Sequence, residues 1–419
     1  MIPATLLLRH ARELLTMTGT LRPEAPWDPA PLGLIADGAV AVQDDRVVAV
    51  GPTRAVEAMI SLSPDATVID VGDAVLCPGL VDPHTHALFA GDRAHEFGMR
   101  VRGATYAEIA AQGGGIQSTM WAVRGASDAD LVAQLDARLD RMRAYGTTTV
   151  EVKSGYGGDL AQELRCLSLL ARRPESVIPT FLPLHAVPPE RREIEGGRAR
   201  FLREMREELL PGVIHGRYAR FIDAYVDKTG FSVDETRPIL EAALRGGLRP
   251  RLHIGQFADV GGAQLAAELG AASADHLEHV SDEGVRAMAD AEVVGVLLPG
   301  AAFSLGQAMP DARRLRDLGL EVALGTDCNP GTSHTEALPL MAAFAVRQMG
   351  LSTVEAWHAI TAVAARSLEL GDRGALRIGA RADLAVLDLA SWEALPYAFG
   401  APRARHTVVA GRVRSHLTA

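Results

Sequence analysis

Four apolar stretches of this chain end in residues that bind cations or move protons. Val81-Asp-Pro-His-Thr-His carries His84 and His86, Pro250-Arg-Leu-His ends in His253, Ser273-Ala-Asp-His ends in Asp275 and His276, and Glu321-Val-Ala-Leu-Gly-Thr-Asp ends in Asp327. Alternate residues of an extended strand point the same way, so His84 and His86 share a face. A lone His-x-His pair is common; the further donors at three other strand ends give it weight. Three imidazoles (His84, His86 and His253) and one carboxylate (Asp327) suit Zn²⁺ or Fe²⁺, which take nitrogen and oxygen donors and leave a position for water. Such an ion lowers the pKa of its water toward neutrality and makes it a nucleophile. Asp327 can bind the ion, take a proton from the water, or do both in turn.

The elements that must position these groups are legible as an alternation. Eight short apolar runs recur, beginning at Gly79, Thr147, Val177, Ala219, Pro250, Ala271, Val293 and Glu321. Helically spaced segments lie between and after them. Ala129 to Tyr145 puts Leu131, Leu135, Leu139 and Met142 on one face, and Ser352 to Leu370 does the same with Val354, Trp357, Ile360 and Ala364. Alternating strand and helix implies a parallel sheet, and eight repeats imply closure into a (β/α)₈ barrel, whose C-terminal strand ends converge on one face. The two chain ends read differently. Gly38 to Gln43 and Arg46 to Gly51 flank Asp44-Asp45 as a β-hairpin, and strand-like runs return at Ala382 and His406. The expected architecture is α/β: a small β-sandwich formed from both termini (residues 1–72 and 371–419) around a metal-dependent TIM-like barrel (residues 73–370).

Composition limits the partners. The 419 residues carry a formal net charge of -10, and no Lys/Arg cluster offers the basic patch that nucleic acid requires. Three widely separated cysteines, Cys77, Cys166 and Cys328, form no disulfide framework and suit a reducing compartment. The apolar run Thr5–Leu8 is interrupted at once by Arg9, His10 and Arg12, unlike a secretory signal. No stretch approaches the roughly 18 apolar residues of a membrane helix. A cytoplasmic enzyme acting on a small molecule is the expectation, with neither nucleic acid nor membrane as partner.

Several longer motifs are more specific. Gly91-Asp-Arg-Ala-His-Glu-Phe, Gly113-Gly-Gly-Ile, Glu151-Val-Lys-Ser-Gly-Tyr-Gly, His185-Ala-Val-Pro-Pro, Ser273-Ala-Asp-His-Leu-Glu, Leu297-Leu-Pro-Gly and Thr326-Asp-Cys-Asn-Pro-Gly-Thr-Ser join the His84/His86 motif. Together, from about residue 70 to 400, they resemble the imidazolonepropionases, a family within the amidohydrolase superfamily. The His-x-His pair and Ala382-Asp-Leu-Ala-Val are shared across the superfamily; Gly91-Asp-Arg, Lys153-Ser-Gly-Tyr-Gly and Asp327-x-Asn-Pro-Gly-Thr discriminate. The resemblance implies hydrolytic ring opening of 4-imidazolone-5-propanoate to N-formimidoyl-L-glutamate, a step of histidine breakdown, with one Zn or Fe ion, divalent or trivalent, in each subunit of a homodimer. It implies that Arg93 clamps the propionate carboxylate, Tyr156 and His185 hydrogen-bond the substrate, and His276 polarises the carbonyl under attack. It gives Gln256 a substrate-contacting, catalytic place. The turn holding Asn329, Gly331 and Thr332 would grip a carboxylate through exposed backbone amides.

Some features depart from that pattern. After His253 the family usually shows an acidic residue where this chain has Gly255, before Gln256. Asp327 must then carry more of the proton transfer, or the substrate preference has drifted. Tyr225-Val-Asp-Lys is also less acidic than expected. Lys153 ends the second run, whereas a metal-bridging lysine belongs on the fourth, which offers Asp223, Asp227 and Lys228. Lys153 therefore reads as structural or electrostatic and the site as mononuclear. His215, His279, His334, His358 and His406 read as solvated or core, and Cys328 as packing. Two rivals remain: a related amidohydrolase, such as a deaminase or another cyclic amidase, and a binding scaffold that has lost its metal. Arg93 and Tyr156 argue against an uncharged nucleobase substrate, and four intact ligands argue against the scaffold.

Overall fold

The computed structural model describes residues 1–104, 108–109, 113–400 and 402–415. The N-terminal part supplies β1 (Ile2–Leu15), β2 (Leu34–Gln43), β3 (Arg46–Pro52), β4 (Ile60–Asp70) and β5 (Val75–Pro78). The β2–β3 hairpin turns at Asp44-Asp45, with Gln43 opposite Arg46 and Asp44 at φ 55°. Eight further strands follow: β6 (Leu80–Asp82), β7 (Thr147–Lys153), β8 (Val177–Leu184), β9 (Phe221–Val226), β10 (Arg249–Ile254), β11 (Ser273–His276), β12 (Val294–Leu297) and β13 (Val322–Leu324). The C-terminal part adds β14 (Leu384–Leu387), β15 (Ala404–Val409) and β16 (Arg412–Ser415).

β14, β15 and β16 join β1–β5 in one mixed sheet of order β16-β15-β14-β5-β1-β2-β3, with β4 also paired to β1. Leu6, Leu8 and Leu14 of β1 share an apolar core there with Val40 and Val42 of β2, Leu384 and Val386 of β14, and Val408 of β15. Neither chain end closes that core alone.

β6 to β13 pair in sequence order as parallel neighbours, each corresponding to one of the eight apolar runs. Helices cover the outside. The helix Asp128–Ala144 starts at Ser127, whose side chain accepts the Asp130 N–H, and buries Leu131, Leu135, Leu139 and Met142 as expected. The seam between β6 and β13 closes just past the strand ends. Asp327 N–H donates to the His84 carbonyl and His86 N–H to the Cys328 carbonyl, both at 3.0 Å. Beneath them the buried Asp82 carboxylate accepts from Thr326 N–H at 3.1 Å and Thr326 Oγ1–H at 2.5 Å. The bonds that close the barrel are thus made by the metal-binding segments and their neighbours.

One sequence expectation needs correction. Ser352 to Leu370 is two helices, Thr353–Ala359 and Ala362–Ser367. The Ile360 carbonyl accepts from Val81 N–H of β6 at 2.9 Å, and Thr361 Oγ1–H bonds the Trp357 carbonyl at 2.6 Å. Apolar periodicity continues across the break, but the backbone there is tied to the barrel. His358, at the end of the first helix, is buried with Nε2 3.3 Å from the Pro31 carbonyl. Burial pushes its pKa down to about 4.

Two outcomes follow for stability. Thr326→Val leaves a buried Asp82 oxygen without its hydroxyl donor and should cost about 1–3 kcal/mol, read as a lower denaturant midpoint. Below the ordinary histidine value of about 6.5 the unfolded chain takes a proton that folded His358 refuses, so stability falls as pH drops from there to about 4. His358→Gln should flatten that part of the midpoint-versus-pH curve, by at most about 3 kcal/mol.

Candidate metal centre and active site

The four expected ligands meet at the C-terminal end of the barrel. His84 and His86 follow β6, His253 lies in β10 and Asp327 follows β13. His84 Nε2 and His86 Nε2 each lie 3.6 Å from Asp327 Oδ1, and His253 Nε2 is 3.3 Å from His86 Nε2. Ligands about 2.1 Å from one ion, tetrahedrally arranged, sit roughly 3.4 Å apart, close to these spacings; donor atoms of His84, His86 and Asp327 lie within 4.8 Å of one another, as do those of His84, His253 and His276. His84 Nε2 is buried with no hydrogen-bond partner, a bare lone pair aimed where an ion would sit. Burial holds His84 and His86 well below the usual imidazole value, which keeps the rings neutral and able to donate. The same burial pushes Asp327 up to about 6.

A layer of buried charge holds these ligands from below. Asp275 Oδ2 is 2.6 Å from His84 Nδ1, and Asp223 Oδ2 is 3.0 Å from His253 Nδ1. Each carboxylate takes the Nδ1 side of its ring and turns Nε2 toward the centre, the usual outer partner of a metal-binding histidine. Lys153 Nζ pairs with Glu151 Oε1 and Asp223 Oδ2 at 2.8 Å each and lies 3.7 Å from Asp275 Oδ2. Arg251 Nη2 is 3.4 Å from Asp275 Oδ2 and bonds the Pro83 carbonyl at 2.7 Å. Lys153 is fully enclosed by these carboxylates, in keeping with an electrostatic role.

A cavity of about 480 Å³ opens above the donors. Arg93, Tyr156, His185, Gln256, His276, Asn329 and Thr332 all line it, beside His86, His253 and Asp327. His185 stacks on His86 with ring centres 4.9 Å apart, and its Nδ1 is 3.2 Å from the Gly155 carbonyl. Tyr156 is set by the carboxylate of Glu163, which accepts from the N–H groups of Gly155, Gly157 and Gly158 at 2.7–3.0 Å. Arg93 bonds Glu96 at 2.7 Å and keeps the rest of its guanidinium for the cavity. His358 is core, whereas His215, His279 and His334 are exposed. Cys328 is buried in an apolar cluster with Phe89 and Tyr156.

The Asn-Pro-Gly turn departs from expectation. Gly331 N–H and Thr332 N–H both donate to Asn329 Oδ1, at 2.8 and 2.7 Å. The turn closes on its own side chain, so these amides are not free to grip a carboxylate. Gly331 lies instead against Arg93, where a Cβ would come within 2.2 Å of Arg93 Nη1, and its carbonyl accepts from Arg100 Nη2 at 2.9 Å. Its small size leaves room for the arginine. Sequence reasoning missed Arg100 and Arg192 and gave Lys228, named on the fourth run, no place in the site; all three line the cavity. For Arg100 a signal existed: it falls two helical turns beyond Arg93, at the end of the helix Ala94–Val101.

Gly255 also has a local explanation. Its φ is +62°, and a Cβ there would meet Val280 Cγ2 at 2.6 Å. His276 and Leu277 follow with φ of 83° and 73°, and Asp327 with 51°. Side-chain-bearing residues in this left-handed region store strain, which here collects around the proposed reacting groups.

Comparison with known proteins agrees with this geometry. The Amidohydrolase family profile matches residues 113–414. The imidazolonepropionase of Symbiobacterium thermophilum is 45% identical over 421 residues, covering 99% of this chain and 98% of that protein. That of Myxococcus xanthus is 44% identical, covering 97% and 96%, and that of Geobacillus kaustophilus 41%, covering 97% of each. Among solved structures, a zinc-bound adenosine deaminase from Xanthomonas campestris superposes with a TM-score of 0.68 at 19% identity, covering 99% and 93%. A zinc-complexed atrazine chlorohydrolase from Arthrobacter aurescens superposes with 0.69 at 17%, covering 99% and 97%. At such identities these two establish the fold alone. The full-length relatives establish more: this chain belongs to the imidazolonepropionase family of the amidohydrolases.

Proposed function

We propose that this protein hydrolyses 4-imidazolone-5-propanoate, adding water across a ring C–N bond to give N-formimidoyl-L-glutamate. The observation that carries the reading is the meeting, at one cavity, of His86, His253 and Asp327, backed by His84, with the guanidinium groups of Arg93 and Arg100. A substrate that is a cyclic amide at one end and a carboxylate at the other needs both.

When bound, the ion supplies Lewis acidity that makes water nucleophilic near neutral pH. Around it, Asp327 accepts the water's proton and returns it to the leaving ring nitrogen. His276 donates to the carbonyl oxygen as charge develops there. Arg93, with Arg100 behind it, holds the propionate carboxylate; Tyr156, His185 and Gln256 fix the ring; Asn329 and Thr332 shape the floor beside Asp327. Three imidazoles and a carboxylate, set over the layer of Glu151, Lys153, Asp223, Arg251 and Asp275, suit Zn²⁺ or Fe²⁺. Three buried unpaired cysteines fit a cytoplasmic setting, and among the described residues no helix is long and apolar enough to cross a membrane. A homodimer completes the proposal, with sedimentation velocity as its check.

Turnover assays on 4-imidazolone-5-propanoate and on an aminopurine test the assignment. Ring opening of the first is expected; deamination of the purine without ring opening would replace this reading with the deaminase one. His253→Ala should abolish activity and bound metal together, measured by elemental analysis after loading with zinc. Arg93→Ala should leave metal content unchanged and raise KM by about 10–100-fold, as loss of a charge-assisted contact of 1.5–3 kcal/mol implies; an unchanged KM would remove Arg93 from the carboxylate site.

A further inference from the structure

His276 has a neighbour that the preceding assignment leaves without a task. The Glu278 side chain is 5% exposed, and Oε1 lies 3.7 Å from His276 Nδ1. Among the described residues, His276 Nδ1 and both Glu278 carboxylate oxygens are buried atoms without a hydrogen-bond partner. A buried carboxylate with no donor is costly, and so is a buried imidazole nitrogen. Here the unmet groups face each other, a few tenths of an ångström beyond bonding distance. Active-site hydrogen bonds commonly tighten only when substrate is in place.

We propose that Glu278 is the positioning residue for His276: its carboxylate accepts from Nδ1–H, holds the ring's orientation, and supports the imidazolium whose Nε2–H meets the carbonyl oxygen of the substrate. The inference rests on the ring-opening reading for what His276 touches, but the Glu278–His276 pairing stands on geometry alone. Two consecutive left-handed residues, His276 and Leu277, curl the chain so that a side chain two positions on returns beside the imidazole. The curl is seated on Gly255: Leu277 N–H donates to the Ile254 carbonyl at 3.2 Å, and His279 N–H to the Gly255 carbonyl at 2.8 Å. A side chain at 255 would strike Val280 in the same segment. The glycine that departs from the family pattern therefore makes room for the segment that delivers Glu278. The acid beside His276 comes from the loop after β11.

Glu278→Leu and Glu278→Gln in the zinc-loaded full chain test this. In Glu278→Leu, kcat should fall by about 10–100-fold, with KM within about twofold and one zinc retained per chain. Glu278→Gln, whose amide oxygen still accepts from Nδ1–H, should recover part of the loss. Nitrogen-15 spectra of histidine-labelled protein, with His276 assigned through His276→Asn, should show both ring nitrogens protonated in the parent and loss of the Nδ1 proton in Glu278→Leu. An unchanged kcat in Glu278→Leu, or a loss accounted for by lost zinc, overturns the proposal, as does a bare Nδ1 in the parent. If the parent does not open the ring at all, the ring-opening reading fails, and the spectra alone decide on Glu278.

Discussion

Lys153 sits fully buried with carboxylates of three strands around it: Glu151 on its own strand, Asp223 on β9 and Asp275 on β11. Removing one member of a buried ion pair typically costs about 3–5 kcal/mol, because the survivor is left charged in a poor solvent. The layer is therefore locked as a unit, and the unit sets the geometry of the metal site. Asp223 fixes His253 and Asp275 fixes His84, so two of the three imidazoles are aimed before any ion arrives. Arg251, reaching from β10 to the Pro83 carbonyl, ties the same layer to the segment that carries His84. The metal site is the upper surface of a charge cluster inside the barrel.

Above that layer the site has two differently built halves. The donor half is made by strand ends and strand neighbours and is buried at the floor of the cavity. The upper walls of the cavity are made by loops and a helix: Arg93 and Arg100 on one side, Tyr156 on its glycine-rich loop, and Asn329 in its self-closed turn. The self-closure of that turn gives it a different task from the one its composition suggests. It presents a compact surface against which Arg93 can lie, with Gly331 leaving room for the guanidinium.

The strands and the polar residues gathered at their ends were readable from sequence for the same reason. A buried strand announces itself as a short apolar run, and a functional residue at its end breaks that run with a His or Asp. His84, His86, His253, His276 and Asp327 all have this form. Arg100 does not; it lies on a helix whose place over the cavity depends on how the loop after β6 travels. The break at Ile360 was hidden because apolar spacing continues through it while the carbonyl turns to β6. The Asx closure at Asn329 depends on a rotamer rather than on residue type. The approach of Glu278 to His276 depends on two left-handed residues that, not being glycine, give no compositional sign. Sequence reports burial pattern well and local chain reversals poorly.

The seam of the barrel has a consequence for how the protein matures. His84 and His86 emerge early in synthesis, His253 much later, and Asp327 only when the last barrel strand is made, some 240 residues after the first pair. Asp327 reaches His84 and His86 only when β13 closes against β6, so closure of the barrel itself brings the carboxylate to the imidazoles.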